Sequence, residues 1–321
     1  MTRRLAVIMD PVDHIKSYKD TTVGLLREAM RRGYRIDYLE ARDLELRADR
    51  LMAQARSMVV SEDDQRWCEL GEAREIELSG VDIILMRKDP PFNMGYIYAT
   101  YLLEHAQSAG ALVVNNPSGI RDANEKLFAT WFSDCMPPTL VTSRKGALRA
   151  FLEEHGDIIV KPLDGMGGSS VFRVARGDAN VNVIFETMTD NEERYTMAQR
   201  YLPAIAQGDK RILMIDGEPV PFALARVPAP GETRGNLAAG GTGVGQALSA
   251  SDRRICDRVG PVLRERGLMF VGLDVIGESL TEINVTSPTG LRELDRIFHL
   301  NIAGDLFDAL ERKMAAGARP A

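Results

Sequence analysis

Asp274, Glu282 and Asn284 are the residues whose types and spacing say most about chemistry. They lie in GLDVIGESLTEINVTSPTGLREL, residues 272–294, where apolar runs at 269–276 and 280–285 flank Gly277-Glu278-Ser279. Two such runs around a short turn read as a β-hairpin. A three-residue loop pairs Ile276 with Leu280, hence Asp274 with Glu282 and Gly272 with Asn284. Cross-strand partners share a face, as do residues two apart on one strand. Both carboxylates and the amide therefore converge on one patch of sheet. Facing carboxylates repel unless a cation lies between them, and an all-oxygen cluster suits Mg²⁺ held together with phosphates. Register decides the matter, because a two-residue turn would put Asp274 and Glu282 on opposite faces. The plain alternative is a half-solvated hairpin whose polar face meets water.

Other segments point to anions. Residues 158–162, IIVKP, form a short buried-strand pattern carrying Lys161 and running into LDGMGGSS. Gly165, Gly167 and Gly168 let backbone N–H groups close on an anion, as phosphate-cradling loops do. The lysine precedes the glycines and no GK[ST] follows, so this is no Walker A loop, and a tight turn is the simpler reading. Asp122-Ala-Asn-Glu125 reads as a capping box that opens a helix, with Lys126 in its first turn. A lysine there opposes the helix dipole, which leaves an anionic partner or plain solvation to account for it. Residues 231–245, GETRGNLAAGGTGVG, carry too many glycines for a packed element and read as a linker or a mobile lid. Arg234 and Asn236 at the centre favour a lid over phosphates.

In order, NEKLF, IIVKPLDGMGGSS, MAQRYLP, GDKRILMIDGEPV, ETRGNLAAGG, FVGLDVIG and LTEINVTSPTG resemble the bacterial glutathione synthetases, a family of ATP-grasp ligases. With DP at 10–11 and MRKDPPF at 86–92, the resemblance runs from residue 5 to residue 312. It implies a mixed α/β and α+β fold, with an N-terminal open α/β domain at 1–122 followed by a two-subdomain ATP-grasp fold. The small subdomain would span 123–202, the large one with metal site and lid 203–316, and a disordered tail 317–321. It also implies ATP as co-substrate and Mg²⁺, or Mn²⁺, on Asp274, Glu282 and Asn284. Lys126 and Lys161 would reach the nucleotide phosphates, under a loop holding Gly165, Gly167, Gly168 and Ser169. Gln199, Tyr201 and Leu202 would form the hinge along the adenine edge, with Asp209 near the ribose. Arg211 and Arg234 would put planar guanidinium forks on the transferring phosphoryl group and the acyl phosphate, and Asn236 would join Arg234 in the closing loop. Arg87, Lys88, Ser287 and Thr289 would hold the dipeptide.

The implied reaction joins γ-glutamylcysteine to glycine through an acyl phosphate, releasing ADP and phosphate, in a cytoplasmic homotetramer. One departure is visible: Gly290 stands where a small or thiol residue is expected before the apolar-Arg-Glu sequence. Two rivals stay open, a non-catalytic ATP-binding regulatory protein of this fold and another ATP-grasp amino-acid ligase.

Composition narrows the classes. The chain has 321 residues, enough for two or three subdomains. Its net charge of −6 argues against a nucleic-acid partner. The apolar run at 5–9 is short and ends at Asp10-Pro11, so it reads as a strand rather than a signal segment. No run approaches a membrane span. Cys68, Cys135 and Cys256 suggest a reduced cytoplasm, and His14, His105, His155 and His299 lack metal-ligand spacing. Strand patterns at 5–9, 81–86 and 111–114 alternate with helical patterns at 22–32 and 96–108, which argues an open α/β sheet. Ser251 is placed to cap a helix bearing Ile255, Val259, Val262 and Leu263 on one face, and a last helix is expected at 302–314.

Overall fold

The computed structural model describes residues 2–165, 167–229 and 241–317. Its first unit runs β1 (Arg4–Ile8), α1 (Thr21–Arg31), β2 (Arg35–Leu39), β3 (Leu44–Arg47), β4 (Arg50–Val60), β5 (Cys68–Glu77), β6 (Ile83–Met86), α2 (Met94–Ser108), β7 (Leu112–Val114) and α3 (Pro117–Asp122). The strands expected from the apolar runs become its parallel part, with β1 between β2 and β6 and β7 beyond. Continuous apolar runs suit strands covered on both faces, and β6 is buried throughout. Asp20 and Asn93 cap α1 and α2 by accepting N–H bonds from Val23 and Tyr96. The antiparallel extension β3, β4 and β5 was not expected. Much of β5 is exposed and polar, so it carries no clear alternation to read.

The second unit holds β8 (Thr139–Thr142), α4 (Lys145–His155), β9 (Asp157–Pro162), β10 (Phe172–Ala175), α5 (Val181–Thr189) and β11 (Thr196–Arg200). Its antiparallel sheet has the order β10-β9-β11-β8. Leu148, Leu152, Ile158, Val160, Val174, Phe185, Met188 and Ala198 form a core of its own.

The third unit comprises β12 (Asp209–Ile215), β13 (Glu218–Val227), β14 (Thr242–Ala247), α6 (Ala250–Glu265), β15 (Phe270–Ile276), β16 (Ser279–Asn284), α7 (Leu291–Phe298) and α8 (Ile302–Ala315). Its antiparallel sheet has the order β14-β13-β12-β15-β16. Here the core is shared. Ile212, Leu273 and Ile283 join Leu103 and Ile84 of the first unit, while Leu213 and Phe307 join Leu5 and Leu26.

Local expectations shift in three places. Ser249, not Ser251, caps α6 through a reciprocal box with Asp252, because the box needs its partner three residues on. Asp122 ends α3 instead of opening a helix. Asn124 takes the capping role and accepts from Leu127 N–H at 2.9 Å, so Lys126 sits in a turn before a 3₁₀ stretch, Phe128–Cys135. The helix-dipole argument for Lys126 therefore lapses. The glycine-rich segment is partly strand, since Thr242 and Gly245 of β14 pair with Val227 and Leu224. A Cβ on Gly245 would meet the Phe298 ring at 2.5 Å, so glycine is what lets α7 approach the sheet. Positions 231–240, with Arg234 and Asn236, and the end of the expected tail, 318–321, lie outside the described residues.

Candidate active site

The β15–β16 hairpin pairs Asp274 with Glu282 and Gly272 with Asn284, as expected, but by a different route. Ile276 pairs with Ser279, so the turn has two residues, and Gly277 takes the positive φ (60°) such turns need. A register shift follows, leaving Thr281 unpaired as a bulge. That extra residue returns Glu282 and Asn284 to the face of Asp274. The Thr281 hydroxyl donates to the Asp274 carbonyl at 3.1 Å and holds the bulge. The bulge also aims a carbonyl at Lys161, whose ammonium donates to it at 3.3 Å.

Register on β12 and β13 completes a two-dimensional array of charge. Arg211 stands opposite Asp274 and grips it with two N–H bonds, Nε to Oδ1 at 2.6 Å and Nη2 to Oδ2 at 3.1 Å. Two residues along, Asp209 pairs in register with Arg226, which bonds Asp209 and reaches Asp274 at 3.0 Å. From the second unit, Lys161 lies 3.3 Å from Glu282, and Lys126, in the turn that precedes that unit, lies 3.8 Å from the same carboxylate. Lys126 also donates to the Gly165 carbonyl at 2.6 Å, tying its turn to the glycine loop.

This array tunes its members. Burial opposes ionisation of Asp274, but Arg211 and Arg226 outweigh it and hold the carboxyl below the usual range. Glu282 is likewise held down against burial by Lys161 and then Lys126. Asp209 goes the other way. Burial pushes it up to about 6, with Arg226 opposing and Asp274 and Glu282 adding repulsion. Burial also lowers Lys161, against the pull of Glu282.

These groups line one cleft of about 550 Å³ between the second and third units, to which the first unit adds residues such as Lys16, Lys19 and Asp89. Gly165, Gly167, Gly168 and Ser169 line it from the loop after β9, and Gln199, Tyr201 and Leu202 from the end of β11. Gln199 is buried and bonds Thr139, while Tyr201 lies under the Arg173 guanidinium. Asn284 faces the cleft with its amide NH₂ bonded to the Gly272 carbonyl, which leaves its oxygen available. Ser287 and Thr289 line the far end with Asp89. Arg87 and Lys88 do not line the cleft. Arg87 is buried, donating to Thr22 and to the Pro288 carbonyl at 3.0 Å, and Lys88 is paired with Asp10 at 2.6 Å. Arg87 thus braces the Ser287–Thr289 loop from behind.

Sequence reasoning missed Arg226 and Glu125. An arginine inside the apolar strand FALARV was a usable signal for the first. Glu125 accepts from Val285 N–H, Thr286 N–H and the Thr286 hydroxyl, binding the Lys126 turn to the strand just past Asn284. Nothing local in NEK distinguishes such a tie from a solvated glutamate.

Residues 4–121 match the family described as prokaryotic glutathione synthetase, N-terminal domain, and residues 125–299 match its ATP-grasp domain. The chain belongs to the prokaryotic glutathione synthetase family. Glutathione synthetase of Salmonella typhimurium is 55% identical over 312 residues, 97% of this chain and 99% of that protein. That of Pseudomonas syringae pv. tomato is 56% identical over 316 residues, 98% of this chain and 99% of its own length. Among solved structures, the D-cycloserine synthetase DcsG superposes with a TM-score of 0.67 at 15% identity, covering 96% of this chain and 99% of that one. The ATP-grasp ligase PsnB gives 0.60 at 19% identity, covering 98% and 99%, and both likenesses speak for the fold. As a member of this family the chain is an ATP-dependent ligase.

Proposed function

We propose that the cleft binds ATP and γ-glutamylcysteine side by side and passes the activated carboxyl to glycine. ATP-dependent synthesis of glutathione is the activity of the family to which the chain belongs. The observation that carries the residue assignment is the single face bearing Arg211, Arg226, Asp209, Asp274, Glu282 and Asn284, opposed by Lys126, Lys161 and the glycine loop. Phosphoryl transfer asks mainly for positioned charge and little covalent chemistry from the protein. In this reading Lys126 and Lys161 release their carboxylate and carbonyl partners to hold the nucleotide phosphates. Gly165, Gly167, Gly168 and Ser169 cover the phosphates. Gln199, Tyr201 and Leu202 follow the base, and Asp209 the ribose. Arg211, Arg226 and Arg234 stabilise charge on the transferring group and the acyl phosphate, and Asn236 assists. The cleft excludes water, which would otherwise hydrolyse that intermediate.

The donor set also suits a hard divalent cation. Asp274 and Glu282 are ionised, directly opposed and joined by the Asn284 oxygen, and arginines and lysines now supply the positive charge these oxygens demand. Asp274, Glu282 and Asn284 would hold Mg²⁺ or Mn²⁺, which neutralises phosphate charge when bound. Ser287 and Thr289 contact the dipeptide, with Arg87 acting through Pro288. Free Cys68, Cys135 and Cys256 suit the cytoplasm. A homotetramer assembled through the N-terminal unit would cover the exposed Met94, Tyr98 and Tyr101 of α2, and light scattering at micromolar concentration tests it. The decisive experiment is ADP release that needs γ-glutamylcysteine and glycine together. Release with a different amino-acid pair, or none with this one, overturns the assignment.

A further inference from the structure

Of the carboxylates lining the cleft, Asp209 and Glu293 are those that bury an oxygen with no hydrogen-bond donor, among the described residues. Buried acceptors of this kind are rare in native proteins, and each points to a partner that is missing. Asp209 Oδ1 belongs to the charge array already described. Glu293 Oε2 belongs to nothing so far discussed.

Its ordinary duties are not being performed. A glutamate at the third position of a helix commonly reaches back to the N-cap N–H. Glu293 holds that position in α7, yet Gly290 at the N-cap has no side chain to reciprocate and no capping box forms. No described cation pairs with it. Arg292 beside it is turned toward the Ser17 carbonyl at 3.3 Å. A buried acceptor left without a donor is destabilising, so the fold tolerates this one at some expense to α7.

The surroundings indicate what would satisfy it. Glu293 lines the cleft with Ser287, Thr289 and Gly290, and Lys16 and Lys19 line it too. The other acidic groups lining the cleft have partners: Asp20 accepts from Val23 N–H, and Ser287 bonds Asp89. Asp274 and Glu282 are held by arginine and lysine, and Glu125 takes three donors on one oxygen. An amino-acid substrate brings a carboxylate, for which the lysines are suited, and a primary ammonium, which needs a negative acceptor out of water.

We propose that Glu293 binds the primary ammonium group of an amino-acid substrate and so selects for it. The proposal rests on reading the cleft as the glutathione-forming site. Both the dipeptide and the acceptor carry such a group, and kinetics separates them. The test compares wild type with Glu293→Gln, which keeps the volume, and Glu293→Ala, varying ATP, γ-glutamylcysteine and glycine in turn. KM for one amino-acid substrate should rise at least about tenfold, while KM for ATP stays within about twofold. The melting temperature of the Gln variant should equal or exceed that of wild type, since no hydrogen bond to Glu293 Oε2 is lost. A rise confined to γ-glutamylcysteine assigns its α-ammonium. N-glutarylcysteine, which lacks that group, should then be used equally by wild type and E293Q. A rise confined to glycine assigns the acceptor. Unchanged KM for both, a parallel rise for ATP, or a lower melting temperature in E293Q would overturn the proposal and leave Glu293 structural. Wild type that turns over no ADP with this substrate pair would overturn the functional reading itself, and with it this assignment.

Discussion

The four-stranded and five-stranded sheets face each other across the cleft, yet they are held in place differently. The five-stranded sheet shares both of its apolar clusters with the N-terminal unit, so its charged face is fixed to most of the protein. The four-stranded sheet packs on a small cluster of its own. Across the cleft it meets the rest through polar contacts, such as Lys161 with Thr281 and Glu282, and the loop carbonyls of Leu163 and Gly165 with Asn124 and Lys126. The anchored wall holds the array in which small displacements would change every charge. The other wall contributes Lys161 and the glycine loop, whose present partners are the Thr281 carbonyl, Glu282 and Lys126. The charged array and the glycine loop are thus carried by separate cores.

The largest expected effect attacks the anchored wall. Asp274→Asn should lower turnover by at least about a hundredfold by removing a charge that acts on phosphoryl transfer. It should also destabilise the protein by about 3–5 kcal/mol, because Arg211 and Arg226 lose their common counter-charge in a buried site. Steady-state rates and urea melts check both, and full stability with lost activity would show that the array is not structural. The two arginines are what tie this carboxylate to the stability of the fold as well as to the cleft.

Phe185→Ala probes the other wall. This fully buried ring belongs to the separate cluster, and its loss should cost about 3–5 kcal/mol. Hydrogen exchange should show protection falling in β8–β11 while β12, β13, β15 and β16 keep theirs. A uniform fall across all sheets would mean that the walls are one cooperative body. Lys161→Ala is smaller. KM for ATP should rise about tenfold, equivalent to about 1.4 kcal/mol, with little change for the dipeptide. Equal loss for both substrates would place Lys161 at the shared centre of the cleft instead of on the nucleotide side.

The smallest effect is a pH dependence within the anchored wall. Burial pushes Asp295 in α7 up to about 6, partly offset by the bond it accepts from Ile302 N–H. Its folded value lies above the unfolded one, so the native state binds the extra proton and stability should fall as pH rises from about 4 to about 6. Asp295→Asn keeps the acceptor and should flatten that slope in melts across the window. An unaltered slope would assign the pH dependence to other groups.

What could be read in the sequence followed from pattern length. The strand at 5–9 and the helices near 22–32 and 96–108 are long or apolar enough that packing confirms the local signal, and they form within two residues of the expected bounds. β5 has no such alternation and was invisible. Lys126 was misplaced because Asp122 and Asn124 are both good caps, and only tertiary contact chooses between them. The charged array was half legible. Asp274, Glu282 and Asn284 stood out by spacing, whereas Arg226 enters through pairing with Asp209 two strands away from that hairpin. Glu125 and Glu293 take their character from burial, which sequence does not print.

The Thr281 bulge makes the hairpin indifferent to its own tip. A three-residue turn without a bulge and a two-residue turn with one use the same number of residues between Asp274 and Glu282, and either leaves the two carboxylates facing each other. The tip can therefore slip by one position, or drift in composition at Gly277 and Glu278, without the slip reaching the charged face. What the charged face requires is that any odd residue left over by the turn be taken up in a bulge, as Thr281 is here, pinned by its hydroxyl. Removal of Thr281 would leave the two-residue turn on an unbroken ladder, with Asp274 and Glu282 still opposite each other.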